Sequence, residues 1–128
     1  MNRTFLKLGA VIGALSVALG AFGAHALKQH LVTDELAIFE TAVRYQFYHV
    51  FALLSAGILF KEYPNKWINY SGRLFTAGII LFSGSLYLLT FLKASAINNF
   101  NWVGAITPLG GLAFICGWLS LFAGIFKK

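Results

Sequence analysis

Leu8–Leu27, LGAVIGALSVALGAFGAHAL, is the stretch whose reading decides the fold. Within it only Ser16 and His25 are polar, and no residue carries a formal charge. A helix of about 20 such residues is roughly 30 Å long, the thickness of a bilayer's hydrocarbon core. Its small residues, Gly9, Gly13, Ser16, Gly20 and Ala24, recur at spacings of three and four. They therefore share one helix face, the pattern that lets two membrane helices approach closely. A competing reading comes from Arg3 and Lys7 ahead of the apolar run and Ala24-His25-Ala26 after it, which imitate a secretory signal with its small-residue cleavage site. The run is longer than a signal core of about 7–15 residues and is patterned with small residues, so a retained span is expected.

Composition extends this reading to the whole chain. Of 128 residues, 59% are hydrophobic and 11% charged, with a mean hydropathy of +0.75. Soluble domains average roughly 45–50% apolar and about 25% charged, and so small a globule cannot hide the excess. Four spans need about 80 residues, which leaves only short loops. A soluble enzyme domain, a disordered chain and a disulfide-stapled module are excluded. The expected fold is an all-α, four-helix transmembrane bundle, one membrane domain over 1–128, with spans near 8–27, 42–60, 74–92 and 103–126. The lone Cys116 sits in an apolar run and has no cysteine partner, so a reduced, buried thiol is expected.

Local signals place the remaining elements. Thr33 before Asp34-Glu35 reads as a helix cap, with acids at the positive end of the dipole, and the helix should run from Asp34 to Phe60. Lys61–Arg73 reads as a polar connection, with a turn at Pro64-Asn65 and interfacial aromatics at Trp67 and Tyr70. Ser83-Gly84-Ser85 interrupts the third span, and Asn98, Asn99 and Asn101 suit the next turn. Pro108 lacks a backbone donor and restricts Thr107, which predicts a kink or late start in the fourth helix. Gly110, Gly117 and Gly124 repeat every seven residues. This second small-residue stripe, with that of Gly9, Gly13 and Gly20, predicts close packing of the first helix on the fourth.

The net charge of +6 is scattered in ones and twos at the ends of apolar runs, which suits topogenic charge rather than nucleic acid. Four spans put both termini on one side with Arg3, Lys7, Lys61, Lys66, Arg73, Lys127 and Lys128, leaving Lys28, Arg44 and Lys93 opposite. The Lys/Arg bias predicts that both termini face the cytoplasm, N-in and C-in.

In that orientation the polar residues gather in the outer half. His25, Glu40, Arg44, Gln46, His49, Ser83, Ser85, Tyr87 and Thr107 form the candidate polar pocket. Ionisable groups at membrane depth are costly and usually face a bundle interior or wet cavity. Arg44 and His49 lie about 140° apart on a helix, so they address different neighbours. An i,i+4 pair of Glu40 with Arg44 would contribute only about 0.2–0.5 kcal/mol, and snorkelling would do more for Arg44. For His49 the plain reading is an interhelical hydrogen bond to Ser83 or Tyr87. His25, His30, His49 and Glu40 have no spacing that forces them onto a metal, so none is expected. No serine has a nucleophile setting, and charged rings for a pore are missing.

Four runs carry a family resemblance: Gly20-Ala21-Phe22-Gly23-Ala24-His25-Ala26-Leu27, Phe39-Glu40-Thr41-Ala42-Val43-Arg44-Tyr45-Gln46-Phe47-Tyr48-His49, Leu81-Phe82-Ser83-Gly84-Ser85-Leu86-Tyr87 and Ile106-Thr107-Pro108-Leu109-Gly110-Gly111. The chain resembles the small membrane proteins of domain-of-unknown-function family 423, also catalogued as UPF0382 membrane proteins, with animal relatives named transmembrane protein 256. The resemblance covers nearly the whole chain. It implies a multi-pass protein of the bacterial plasma (inner) membrane and supplies no catalytic residues.

The expected function is non-enzymatic: a binding, accessory or scaffold protein with an outer-leaflet polar pocket for a lipid headgroup or small anion at Arg44. The alternative is a small oligomeric transporter or channel using the Thr107-Pro108 break and Ser83-Gly84-Ser85. A membrane enzyme using His49 on a lipid or quinone has least support. No cofactor is expected. Expected partners are membrane lipids, a second copy or another membrane protein, and not nucleic acid.

Overall fold

The first helix begins where Asn2 can cap it. The Asn2 side chain accepts from the Phe5 N–H at 3.2 Å, and helix α1 runs Arg3–His25. After a single 3-10 turn, Leu27–Gln29, α2 spans Thr33–Leu59. The third long helix is composite: α3 (Lys66–Gly78), a π-helical turn (Ile79–Ser83) and α4 (Gly84–Ala94). Helix α5 covers Asn101–Phe126. The computed structural model describes residues 1–97, 99 and 101–127, and these contain no strand.

Three of the four long helices, Arg3–Gln29, Lys66–Ala94 and Asn101–Phe126, are long and apolar enough to cross a membrane. In α2 the apolar run is diluted by Glu40, Arg44, Gln46 and His49. The result is an all-helical, four-helix bundle.

Several local expectations change. Thr33 is not the cap of α2 but its first helical residue, and the free Val32 N–H is taken by the Glu35 carboxylate at 3.0 Å. The third helix starts eight residues earlier than hydropathy suggests, because Asn65 caps it by accepting from Trp67 and Ile68 N–H groups. Most of the polar connection is thus two amphipathic turns that bury Ile68, Ser71 and Gly72. Ser83-Gly84-Ser85 does not break the helix; the irregularity is the preceding π turn, and α4 follows without a gap. Helix α5 runs on through Pro108, which sits inside it, so there is no late start. The turn after α4 is made by Ala96, at a left-handed φ of 58°, with Ile97 N–H reaching Leu92 O at 2.9 Å. Of the asparagines expected there, Asn98 lies outside the described residues, and Asn101 instead opens α5.

The largest correction concerns helix pairing. Helix α1 packs along α2, not along α5: a Cβ on Gly9 would meet Leu54, one on Gly13 would meet Val50, and one on Gly20 would meet Val43. Helix α5 packs along the third helix, with Gly110 against the Phe82 backbone, Gly117 against Phe75 and Gly124 against Ile68. Both stripes are packing faces, but each fits large side chains or backbone of a neighbour rather than the other stripe. Two small-residue faces would leave a void between them, whereas a small face against a large one fills the space.

All four long helices meet in one apolar cluster, Phe5 from α1, Ala52, Leu53 and Ala56 from α2, Ile68 and Phe75 from α3, and Leu121 from α5. This cluster lies toward the termini. Asn2 there donates its backbone N–H to Gly57 O at 2.9 Å and its side-chain amide to Asn69 at 3.1 Å. Asn65 Nδ2 donates to Gly124 O at 3.0 Å, so the chain's start, the α2–α3 connection and the end of α5 share one end of the bundle.

Candidate functional site

Away from that cluster the bundle is held by polar contacts between helices. Helix α2 is the hub, because Gln46 and His49, three residues apart, address different neighbours. Gln46 is 2% exposed; its Oε1 accepts from Tyr87 OH on α4 at 2.6 Å, and its Nε2 donates to Ile12 O on α1 at 3.4 Å. The same Ile12 carbonyl accepts from Ser16 Oγ at 2.7 Å. One amide therefore ties three helices.

His49 turns to α5. Its Nε2 accepts from the Trp118 indole N–H at 3.1 Å, and its Nδ1 lies 2.7 Å from Tyr45 O. An indole nitrogen can only donate, so Nε2 is the acceptor and Nδ1 carries the proton toward the carbonyl. The ring stacks on Phe114, with centroids 3.5 Å apart and planes inclined by 8°. Trp118, not Ser83 or Tyr87, is thus the partner of His49. An indole in the middle of an apolar helix, away from the interfacial belt, needs an acceptor for its N–H, which is the sequence signal that could have found it.

The hydroxyls complete the set. Ser83, fully buried at the end of the π turn, donates to Ala42 O on α2 at 2.7 Å. Ser85, two residues on, lies 2.6 Å from Thr107 Oγ1 on α5 and 2.9 Å from Phe82 O. Among the described residues no buried side-chain polar atom lacks a partner. Such satisfied groups hold helices together where lipid cannot hydrogen-bond.

Glu40 and Arg44 stand apart from this set. Both line a cleft of about 160 Å³ between α1 and α2, walled by Gly20, Gly23, Ala24, Phe39 and Val43. Arg44 is exposed, and no ion pair joins it to Glu40. His25, at the last turn of α1, is exposed and lines no part of this cleft. The expected pocket residues are therefore divided. Gln46, His49, Ser83, Ser85, Tyr87 and Thr107 tie helices together, Glu40 and Arg44 line the cleft, and His25 joins neither set.

Two further clefts lie along the seam between α1 and the third helix. One of about 220 Å³ is bounded by Phe22, Leu31, Phe39, Tyr87 and Phe91. The other, of about 370 Å³, lies near the termini between Thr4, Leu8, Arg73, Thr76 and Ile80. His49 lines none of the three clefts, and both its nitrogens are engaged. Sequence reasoning used Arg73 only as a topogenic charge.

Residues 19–111 match the family described as "Protein of unknown function (DUF423)". The chain is 42% identical over 125 residues to a UPF0382 membrane protein of Staphylococcus saprophyticus, covering 98% of each chain. It is 39% identical over 126 residues to the UPF0382 membrane protein YwdK of Bacillus subtilis, again with 98% of each covered. It is 32% identical over 126 residues to the UPF0382 inner membrane protein YgdD of Escherichia coli, covering 98% of this chain and 92% of that one. No solved structure matches. With the apolar helical bundle already established, these relatives make the chain a bacterial membrane protein belonging to the DUF423, or UPF0382, family.

Proposed function

We propose that this protein is a non-enzymatic binding or accessory protein of the plasma membrane, spanning it four times with both termini in the cytoplasm. Its ligand in this reading is an anionic group, such as a lipid headgroup, held at Arg44. One observation carries the reading: Arg44 lines a cleft beside the small-residue face of α1, and its guanidinium has no ion-pair partner among the described residues. A planar fork of five N–H donors there suits a phosphate oxyanion. Gly20 and Gly23 let Val43 and Phe39 of α2 seat closely on α1, which sets the floor of the cleft beside Arg44. Glu40 on the same wall supplies an acceptor for a headgroup hydroxyl or ammonium. The satisfied state of His49, Ser83, Ser85 and Thr107 argues against their use as nucleophile or general base, because each is already spent on an interhelical or carbonyl bond.

The test is native mass spectrometry of the protein released from mild detergent, comparing wild type with Arg44→Gln. Loss of one retained anionic lipid in the variant is expected. Unchanged lipid retention and unchanged co-purifying proteins would overturn the reading. The transporter alternative draws on the π turn, whose Phe82 faces the Gly110 stretch that follows Pro108, since irregular helices often flank transport sites. Flux of small ions or solutes into proteoliposomes, lost in Thr107→Val, would favour it instead.

A further inference from the structure

The seam between α1 and the third helix is closed at the termini's end by Phe5 on Gly72 and by Asn2 on Asn69. Beside that closure the two helices part, leaving the cleft of about 370 Å³. Its lining is graded. Arg73 and Thr4 stand at the level of the closure, and Leu8, Thr76, Ala77 and Ile80 line the deeper part. From Arg73 to Ile80 the third helix advances roughly 10 Å at 1.5 Å per residue. One leaflet's hydrocarbon is about 15 Å deep, so the groove follows the upper two-thirds of one acyl chain. Arg73 lies two turns inside the start of α3, past Trp67 and Tyr70, whose rings meet edge to face at 5.8 Å and mark the interface.

Arg73 has no carboxylate, carbonyl or aromatic partner among the described residues, and the Thr76 hydroxyl is used on Gly72 O at 2.9 Å. Arg3 and Lys7 on α1 add positive charge to the same end of the bundle, while the first turn of α3 contains no acid. A cation above an apolar groove parallel to the membrane normal is the complement of a phospholipid, with its phosphate at the interface and its chain below. A soluble anion would use the cation and leave the groove empty.

We infer that this α1–α3 cleft is a binding site for one membrane glycerophospholipid with an anionic headgroup, its phosphate on Arg73 and one acyl chain against Leu8, Ala77 and Ile80. The site lies at the opposite end of the bundle from the Arg44 cleft and does not depend on it.

The experiment uses the full chain in mild detergent, titrated with phosphatidylglycerol or phosphatidylcholine and read by native mass spectrometry. Wild type retains phosphatidylglycerol over phosphatidylcholine. Arg73→Gln and, separately, Ala77→Phe, which fills the groove without changing charge, each lower retained phosphatidylglycerol by one molecule and weaken its apparent affinity about tenfold. Arg73→Lys restores most of it, and Arg44→Gln leaves this site's occupancy in place. Circular dichroism and gel filtration confirm that each variant folds, and Ile80→Phe replaces any that does not. Loss in Arg73→Gln without loss in the groove-filled variant would mean surface charge alone and overturns the site. Equal retention in all variants, or displacement by millimolar inorganic phosphate as effectively as by lipid, overturns it as well. Loss in Arg44→Gln with retention in both cleft variants would support the Arg44 reading while removing this one.

Discussion

The two halves of the bundle are built on different principles. Toward the termini, apolar side chains from all four helices interlock around Leu53, Ile68 and Phe75, each fully buried, and asparagines fasten the ends. In the other half the same helices are joined by Gln46–Tyr87, Ser83–Ala42 and Ser85–Thr107, with His49–Trp118 at the boundary. In water the apolar half would dominate stability. In lipid it loses that advantage, because a leucine leaving a neighbour finds hydrocarbon just as apolar. What remains there is shape: filled space and dispersion contacts. The polar half has direction instead, since each bond fixes which residue faces which. The comparison teaches that a membrane bundle can use interlocking shape for tightness at one end and hydrogen bonds for register at the other.

The largest effect tests where backbone meets backbone. Gly110 lets α5 rest directly on the Phe82 backbone beside the π turn, and a side chain there has nowhere to go. Gly110→Leu should therefore cost about 3 kcal/mol or more, the upper end of overpacking effects, or prevent folding. Gly9 faces the tip of Leu54, a flexible side chain 2.6 Å from the would-be Cβ, and alanine's better helix propensity offsets part of the crowding, so Gly9→Ala should cost less than about 1 kcal/mol. Reversible unfolding in mixed micelles measures both. Equal costs would erase the distinction between rigid and yielding contacts.

How much of this was legible beforehand follows the same division. Long apolar runs and small-residue stripes are periodic signals, so the helices and the role of Gly9, Gly13, Gly110 and Gly117 as packing positions could be read directly. Which helix each stripe meets could not, because a stripe says how near a neighbour can come and not which neighbour it is. The start of α3 was missed because its first turns, Lys66–Arg73, are polar and amphipathic, and the cap that begins them depends on Asn65 reaching two N–H groups. Within the candidate site, an interhelical bond is expected from the sequence only at His49, whereas Gln46, Ser83 and Ser85 read as lining of a polar pocket and instead bond between helices. Their partners on other helices are two carbonyls, two hydroxyls and one distant indole, which no local spacing encodes. At Arg44 the sequence offers only the cost of a charge at membrane depth, and not the α1–α2 cleft that the residue lines.

A middle-sized effect separates direction from tightness. Gln46→Leu removes the acceptor of Tyr87 OH and the donor to Ile12 O while keeping volume. The expected loss is about 1 kcal/mol, near the average of roughly 0.6 kcal/mol per interhelical bond in membranes and below its maximum. A double-mutant cycle of His49→Phe and Trp118→Phe should give a coupling of about 0.6 kcal/mol, because stacking on Phe114 survives in either variant. A coupling indistinguishable from zero would show that His49 contributes by packing alone, and the polar half would then differ from the apolar half only in composition.

The smallest effect lies in the connections, where the two ends differ again. At the termini's end the turns are closed by Asn2 and Asn65, residues whose side chains satisfy free helix N–H groups. At the far end α4 closes with Ile97 N–H on Leu92 O and Ala96 N–H on Lys93 O, which requires Ala96 to adopt φ 58°. That closure satisfies the last carbonyls of α4, but a Cβ makes the left-handed conformation cost roughly 1 kcal/mol or more, and glycine removes the clash. Against this, glycine gains freedom in the unfolded chain, which returns part of the benefit. Ala96→Gly should therefore stabilise the protein by about 0.5 kcal/mol, seen as a small rise in midpoint under the same unfolding conditions, with no change in lipid retention. The same change at Ala94, inside the last turn of α4, should destabilise by about 1 kcal/mol, because there glycine only loosens a helix. If both changes destabilise equally, Ala96 is not held in the left-handed region and the far end closes in some other way.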